Sequence, residues 1–165
     1  VSNLPADLPA DFGSAIARLS DRQHLDVEDM KLMILLETAG DPLYQKLADL
    51  VSHAEASELL RQNGREETAH AHRLAKAIEI LTGEPFEIPS LEDNPYAAPP
   101  PFPMVTAELL AGVKAGEDEG DLMYQRYADH EPNAQVAELL RQNGREETRH
   151  GERVARAIEL IAFES

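Results

Sequence analysis

The chain has 165 residues, enough for one domain with a substantial core, and 15 Lys plus Arg against 31 Asp plus Glu give a formal charge of −16, the wrong sign for wrapping phosphate backbones or anionic lipid. It contains no cysteine, which removes disulfides, thiolate nucleophiles and cysteine-held zinc or iron from consideration. No run of about 18 apolar residues occurs and Val1 to Arg22 lacks a basic start followed by an apolar stretch, so a cytoplasmic protein without nucleic-acid or membrane partners is expected.

Residues 1–25 read as an N-terminal extension in which Phe12 to Leu19 can form a short helix, ahead of a helical bundle over 26–165. The first long helix starts at Asp26, a good N-cap, and places Met30, Met33, Leu47 and Val51 on one seam, with a kink expected at Pro42. The second opens on Ser52-x-x-Glu55, a capping box, sets Ala56, Leu60, Leu74, Ala77 and Leu81 inward, and stops at Thr82-Gly83. Residues 82–103 include Pro99-Pro100-Pro101 and cannot be helical, yet at roughly 3.1 to 3.3 Å per residue they can run the length of a helix of about 28 residues. The third helix starts near Thr106 with Leu110, Val113 and Tyr127 inward. The fourth starts near Pro132 with Val136, Leu140, Val154, Ala157 and Ile161 inward.

The second and fourth helices are copies. ELLRQNGREETAHAHRLAKAIEIL from Glu58 recurs 80 residues later as ELLRQNGREETRHGERVARAIELI from Glu138, beginning with eleven consecutive identities. At the same offset Glu37, Gly40, Asp41, Tyr44 and Gln45 fall on Glu117, Gly120, Asp121, Tyr124 and Gln125. An internal duplication of an antiparallel helix pair, joined by a long Pro-rich crossover, is the all-α, ferritin-like form of the four-helix bundle.

Charge interrupts every seam. Glu37 and Glu117 sit at heptad positions between apolar neighbours, and Glu67-x-x-His70 and Glu147-x-x-His150 bring a carboxylate and an imidazole inward together. At 1.5 Å per residue Glu37 lies about 16 Å up the first helix and Glu67 about 22 Å down the second, which puts both near one height. Four carboxylates and two imidazoles should therefore share a core layer, where desolvation and repulsion would not tolerate four bare charges. Two divalent ions carry four positive charges and balance them. Tyr44 and Tyr124, seven residues after Glu37 and Glu117, stack one layer away and are candidates for a redox or hydrogen-bonding role. Glu66 and Glu146 are angled to accept the free imidazole N–H of the opposite histidine, and Asp41 and Asp121 are weaker candidates for the same task. His24, His53, His72 and His130 fall off the layer and read as surface residues.

With Glu37, Glu67-x-x-His70, Glu117 and Glu147-x-x-His150 in this order, residues 26 to 163 resemble the ferritin-like dimetal carboxylate proteins, most closely rubrerythrins and bacterioferritins. The resemblance implies that Glu37 and Glu117 are terminal ligands, that Glu67 and Glu147 bridge, and that His70 and His150 each bind one ion. It implies two ions per chain, iron first, with manganese or zinc as alternatives. Two departures stand out: Gly120 occupies the place of an extra rubrerythrin carboxylate, and Thr68 that of a haem-ligating Met, so haem is not expected. The implied function is a di-iron oxidoreductase that oxidises ferrous iron or reduces O₂ or peroxide with an electron donor. Iron storage, a dimanganese catalase-like activity and a purely structural dimetal protein are the alternatives, and a homo-oligomer, in the simplest case a dimer, is the expected assembly.

Overall fold

In the computed structural model, which describes residues 3–162, five helices follow one another: α1 (Phe12–Ser20), α2 (Val27–Leu50), α3 (Ala54–Thr82), α4 (Ala107–His130) and α5 (Ala134–Ala162). The described residues contain no strand. The helix ends follow side-chain chemistry. Asp26 caps α2 by accepting from the Asp29 amide at 2.8 Å, Thr106 caps α4 by accepting from Leu109 N at 3.1 Å, and Gly83 closes α3 in the left-handed region at φ 76°.

Two expected starts move. Ser52 and Glu55 do not form the capping box; His53 is the N-cap of α3, its Nδ1 accepting from Ala56 N at 3.4 Å. Pro132 precedes the first turn of α5 rather than lying in it, because Asn133 Oδ1 accepts from Gln135 N at 3.0 Å and Val136 N at 3.2 Å and so takes the cap. Helix α2 continues through Pro42. Among the seam residues, Leu81 is 39% exposed because it lies in the last turn of α3, and Val51, Val113 and Ile161 are only partly buried.

The core is two apolar clusters. One holds Met30, Leu74, Ala77, Tyr127, Val136 and Leu140; the other holds Leu47, Ala56, Leu60, Leu110, Val154 and Ala157. Each long helix therefore runs from one cluster to the other, α2 and α5 in one direction and α3 and α4 in the reverse. Helix α2 packs on α3, α4 on α5, and α3 on α5, while α2 and α4 stand apart. Residues 83–106 travel between the two ends outside the bundle, with Phe86 and Ile88 against the first cluster and Phe102 and Val105 against the second. On the way Asn94 Nδ2 donates to Leu35 O at 2.7 Å and Thr38 Oγ1 at 2.9 Å, and Lys46 Nζ donates to Pro100 O at 2.7 Å. Helix α1 adds a cover: Tyr127 Oη donates to Leu19 O at 2.7 Å, and Arg18 and Arg22 reach the buried Asp29. Leu32, Ile34 and Leu35, which the seam does not include, are fully buried in the cluster on which both segments pack. No helix among the described residues is long and apolar enough to cross a membrane.

Asn94 is the buried pin of the connecting segment, its Oδ1 also accepting from Tyr96 N at 2.9 Å. Asn94→Ala removes all three bonds and leaves the Tyr96 N–H without its acceptor, while Thr38 Oγ1 and Leu35 O keep each other, and it should destabilise the fold by about 1 to 3 kcal/mol. Urea unfolding would show it, and an unchanged midpoint would mean that the segment is not anchored there.

Candidate metal centre

Between the two apolar clusters lies a polar layer. Helix α2 supplies Glu37, α3 supplies Glu67 and His70, α4 supplies Glu117, and α5 supplies Glu147 and His150; both histidines are fully buried and the carboxylates nearly so. Candidate ligand atoms of Glu37, Glu67, His70 and Glu147 lie within 4.8 Å of one another, and so do those of Glu67, Glu117, Glu147 and His150. The two groups share Glu67 and Glu147. The imidazoles stack between them, ring centroids 5.1 Å apart and 13° from parallel.

Each imidazole has a settled outer edge. His70 Nε2 lies 3.1 Å from Glu146 Oε2, and His150 Nε2 lies 3.1 Å from Glu66 Oε2. Arg73 donates to both oxygens of Glu146, at 2.7 and 2.9 Å, and Arg153 donates to both oxygens of Glu66, at 2.9 and 3.0 Å. Burial raises the Glu146 carboxyl, but the bonds from His70 and Arg73 outweigh it and carry the pKa down to about 2; Glu66 is lowered in the same way by Arg153. An ionised carboxylate only accepts, so a proton sits on each Nε2 and the Nδ1 side is turned to the core carboxylates.

The inner edge is unsettled. His150 Nδ1 is buried without a hydrogen-bond partner, although Glu67, Glu147 and Glu117 oxygens stand 3.2, 3.4 and 3.5 Å away. His70 Nδ1 has Glu147 at 3.2 Å and Glu37 at 3.3 Å. Without a cation these groups share protons. Burial and then the charge of Glu147 push Glu67 well up, burial raises Glu117 to about 7, and the surrounding carboxylates overcome burial to raise His150 to about 12. Burial also opposes ionisation of Glu37 and Glu147, but the imidazoles beside them keep both low. An orphaned imidazole nitrogen facing several carboxylates suits a divalent cation, which satisfies all of them at once. The donor set is oxygen and nitrogen only, in keeping with iron, manganese or zinc.

The tyrosines cross over. Tyr44 Oη donates to Glu117 and Tyr124 Oη donates to Glu37, each linking α2 with α4, and burial followed by the adjacent carboxylate keeps both phenols protonated well above their ordinary range. Asp41 and Asp121 do not reach the imidazoles. They hold Gln45 and Gln125 at 3.2 and 3.1 Å, and Asp121 accepts from Thr148 at 2.9 Å, because one turn beyond the glutamates the helix face has rotated toward the neighbouring helix. His24, His72 and His130 are exposed, with His24 bonded to Glu131 at 2.9 Å, whereas His53 is partly buried as the α3 cap. Sequence reasoning missed Arg73 and Arg153, and the partners Asn63 and Asn143. Asn63 Nδ2 donates to His150 O at 3.2 Å and Asn143 Nδ2 to His70 O at 3.3 Å, and the asparagine oxygens accept from Arg153 and Arg73. All four recur at the offset of 80, which was the available signal.

The family model described as Rubrerythrin matches residues 30–158. Among curated proteins and solved structures the chain has no match.

Two glycines make the room in which the shared glutamates lie, and they differ. A Cβ on Gly40 would sit 2.8 Å from Glu67 Cγ, too close, whereas a Cβ on Gly120 would meet Glu147 Cδ at an ordinary 3.4 Å. Ala is favoured over Gly in a helix interior by about 1 kcal/mol. Gly120→Ala should therefore keep or raise thermal stability, and Gly40→Ala should lower it; equal responses in a melting experiment would show that Glu67 is not confined by Gly40.

Proposed function

Since the chain belongs to the rubrerythrin family, ferritin-like proteins with dinuclear and typically iron centres, we propose that it is a di-iron carboxylate oxidoreductase that reduces O₂ or peroxide. The observation that carries this reading is the pair of overlapping ligand groups sharing Glu67 and Glu147. In this reading Glu37 and His70 would hold one ion and Glu117 and His150 the other, with Glu67 and Glu147 available to both. Two redox-active ions there would supply electrons to the oxidant, and the centre would be refilled by an electron donor.

The chain's own residues have three tasks. Glu146 with Arg73, and Glu66 with Arg153, fix the tautomer and orientation of each imidazole so that Nδ1 faces inward. Tyr44 and Tyr124 hold the outer carboxylates in one rotamer and keep a proton on Oη beside them. The apolar clusters above and below the layer keep bulk water from its two ends, which strengthens the charge interactions there.

Elemental analysis of protein purified without added metal should give about two ions per chain, and stopped-flow absorbance after Fe²⁺ and then peroxide or O₂ should show oxidation. An iron-loaded protein whose spectrum ignores both oxidants would be a structural metalloprotein, and a native mass of many subunits filled with iron would point to storage; either result overturns the reading.

The bridging assignment makes a separate prediction. Losing a shared carboxylate leaves positive charge uncompensated at both ions, whereas losing a neutral imidazole opens one position to water. Glu67→Ala should lower anomalous-scattering occupancy at both positions and His70→Ala mainly at one. Full occupancy of both ions in Glu67→Ala would show that Glu67 does not bridge.

A further inference from the structure

The gap between α2 and α4 is a cavity of ≈ 440 Å³. Its floor is the carboxylate layer, with Glu37, Glu67, Glu117 and Glu147 all lining it. Its walls are apolar: Met33, Leu36 and Leu43 from α2, Val113 and Met123 from α4, and Ile16 from α1. We propose that this cavity binds a neutral, apolar organic molecule whose inner end abuts the carboxylate layer. The proposal deepens the reading above and rests on it only for what that inner end meets.

Size is the first reason. A diatomic oxidant needs a small fraction of this space, whereas clefts of about 300 to 1,000 Å³ with mostly apolar walls and a few convergent polar groups are typical of organic ligands. Charge is the second. Besides the floor, Glu119 is the charged side chain in the lining, and no Lys or Arg lines it. With the floor carboxylates balanced by two cations, a carboxylate, phosphate or sulfonate would still lie beside Glu119 between apolar walls that hold no Lys or Arg to pair it, so an anionic ligand is disfavoured.

The third reason comes from the duplication. At the offset of 80, Leu32 and Leu36 of α2 fall on Gly112 and Gly116 of α4. A Cβ on Gly40 or Gly64 would collide with a neighbouring helix, but a Cβ on Gly112 or Gly116 would meet nothing within 4 Å. Glycine weakens a helix interior, so these two have no packing reason inside the chain. The side chains missing from them are space in the cavity, and both glycines are exposed, so the cavity opens to solvent along α4. Its other end is closed by α1, which Arg126 ties to α4 by donating to Ser20 O at 2.8 Å and to Arg22 O at 2.8 Å.

Two fluorophores with one ring system and different charge test the proposal: neutral N-phenyl-1-naphthylamine and the anionic 8-anilinonaphthalene-1-sulfonate. Titrated into the full chain, with metal content measured on the same samples, the neutral probe should bind saturably at one site per chain and the sulfonate at least about tenfold more weakly. Gly116→Leu puts a side chain into the opening, improves helix propensity, and should weaken the neutral probe at least about tenfold with metal content and melting temperature retained. Ala115→Leu adds a similar group to the same helix outside the lining and should leave the affinity unchanged. Gly112→Leu is the second variant should Gly116→Leu fail to fold. Equal affinity for both probes, full affinity in the glycine variants, or binding that appears only when an oligomer is diluted to monomer would overturn the proposal, the last by making the gap an interface between two copies. A protein with two ions per chain and no probe binding loses the pocket alone; one that binds the probe and never takes up metal loses the metal centre alone.

Discussion

The bundle is organised around an imbalance of charge in its own middle. Four carboxyl groups and two imidazoles are buried between two apolar clusters, where an uncompensated ion costs several kcal/mol. The chain resolves half of the problem itself. On the outer side, Arg73 with Glu146 and Arg153 with Glu66 are neutral pairs that fix both imidazole Nε2–H groups. On the inner side, two imidazoles cannot neutralise four carboxylates, and His150 Nδ1 is left without a partner. The deficit is positive charge beside Glu67 and Glu147, which the proposed pair of cations would supply.

The same layer dictates the backbone around it. A glutamate held between helices needs a close approach, and Gly40 beside Glu67 and Gly64 beside Asp41 and Tyr44 provide it, since a Cβ at either would fall within 2.8 Å of a neighbouring side chain. Helix propensity is given up where the helices must meet. The remaining cover comes from outside the repeat: α1 and the segment 83–106 wrap α2, so that α2 is buried on faces that its copy α4 exposes.

Much of this is legible in the sequence. The duplication, the i, i+3 pairing of Glu67 with His70, and a height count along two helices were enough to bring six side chains into one layer, because helical geometry is rigid and the pattern was written twice. Glu66 and Glu146 were legible for the same reason, sitting beside the layer and turned to the neighbouring helix. The arginines were not. A long side chain travels far from the face on which its Cα sits, so spacing alone does not single out Arg73 and Arg153, which reach across to another helix. The hydroxyls of Tyr44 and Tyr124 reach the glutamate of the opposite half, a pairing that depends on how α2 and α4 face each other rather than on spacing along either. Asp41 and Asp121 failed for the opposite reason: one turn is not a whole number of residues, and the face had rotated away. The burial of Leu32, Ile34 and Leu35 was hidden because a single-seam reading has no term for a chain segment laid over the back of a helix.

Duplication makes two equal halves, and the departures from equality show what each region answers to. In the layer the copies agree in every ligand-type residue, because Glu67 and Glu147 stand in both groups and neither half closes without the other. Outside the layer they diverge. Helix α2 carries Leu32 and Leu36, both buried in the first apolar cluster and the second also a wall of the cavity, while α4 carries Gly112 and Gly116 with open space beyond them. The Glu117 side chain accordingly retains 12% of its accessible surface against 5% for Glu37. Two positions with the same donors thus differ in exposure, and anything that reaches the layer from solvent along α4 meets the Glu117 and His150 side first.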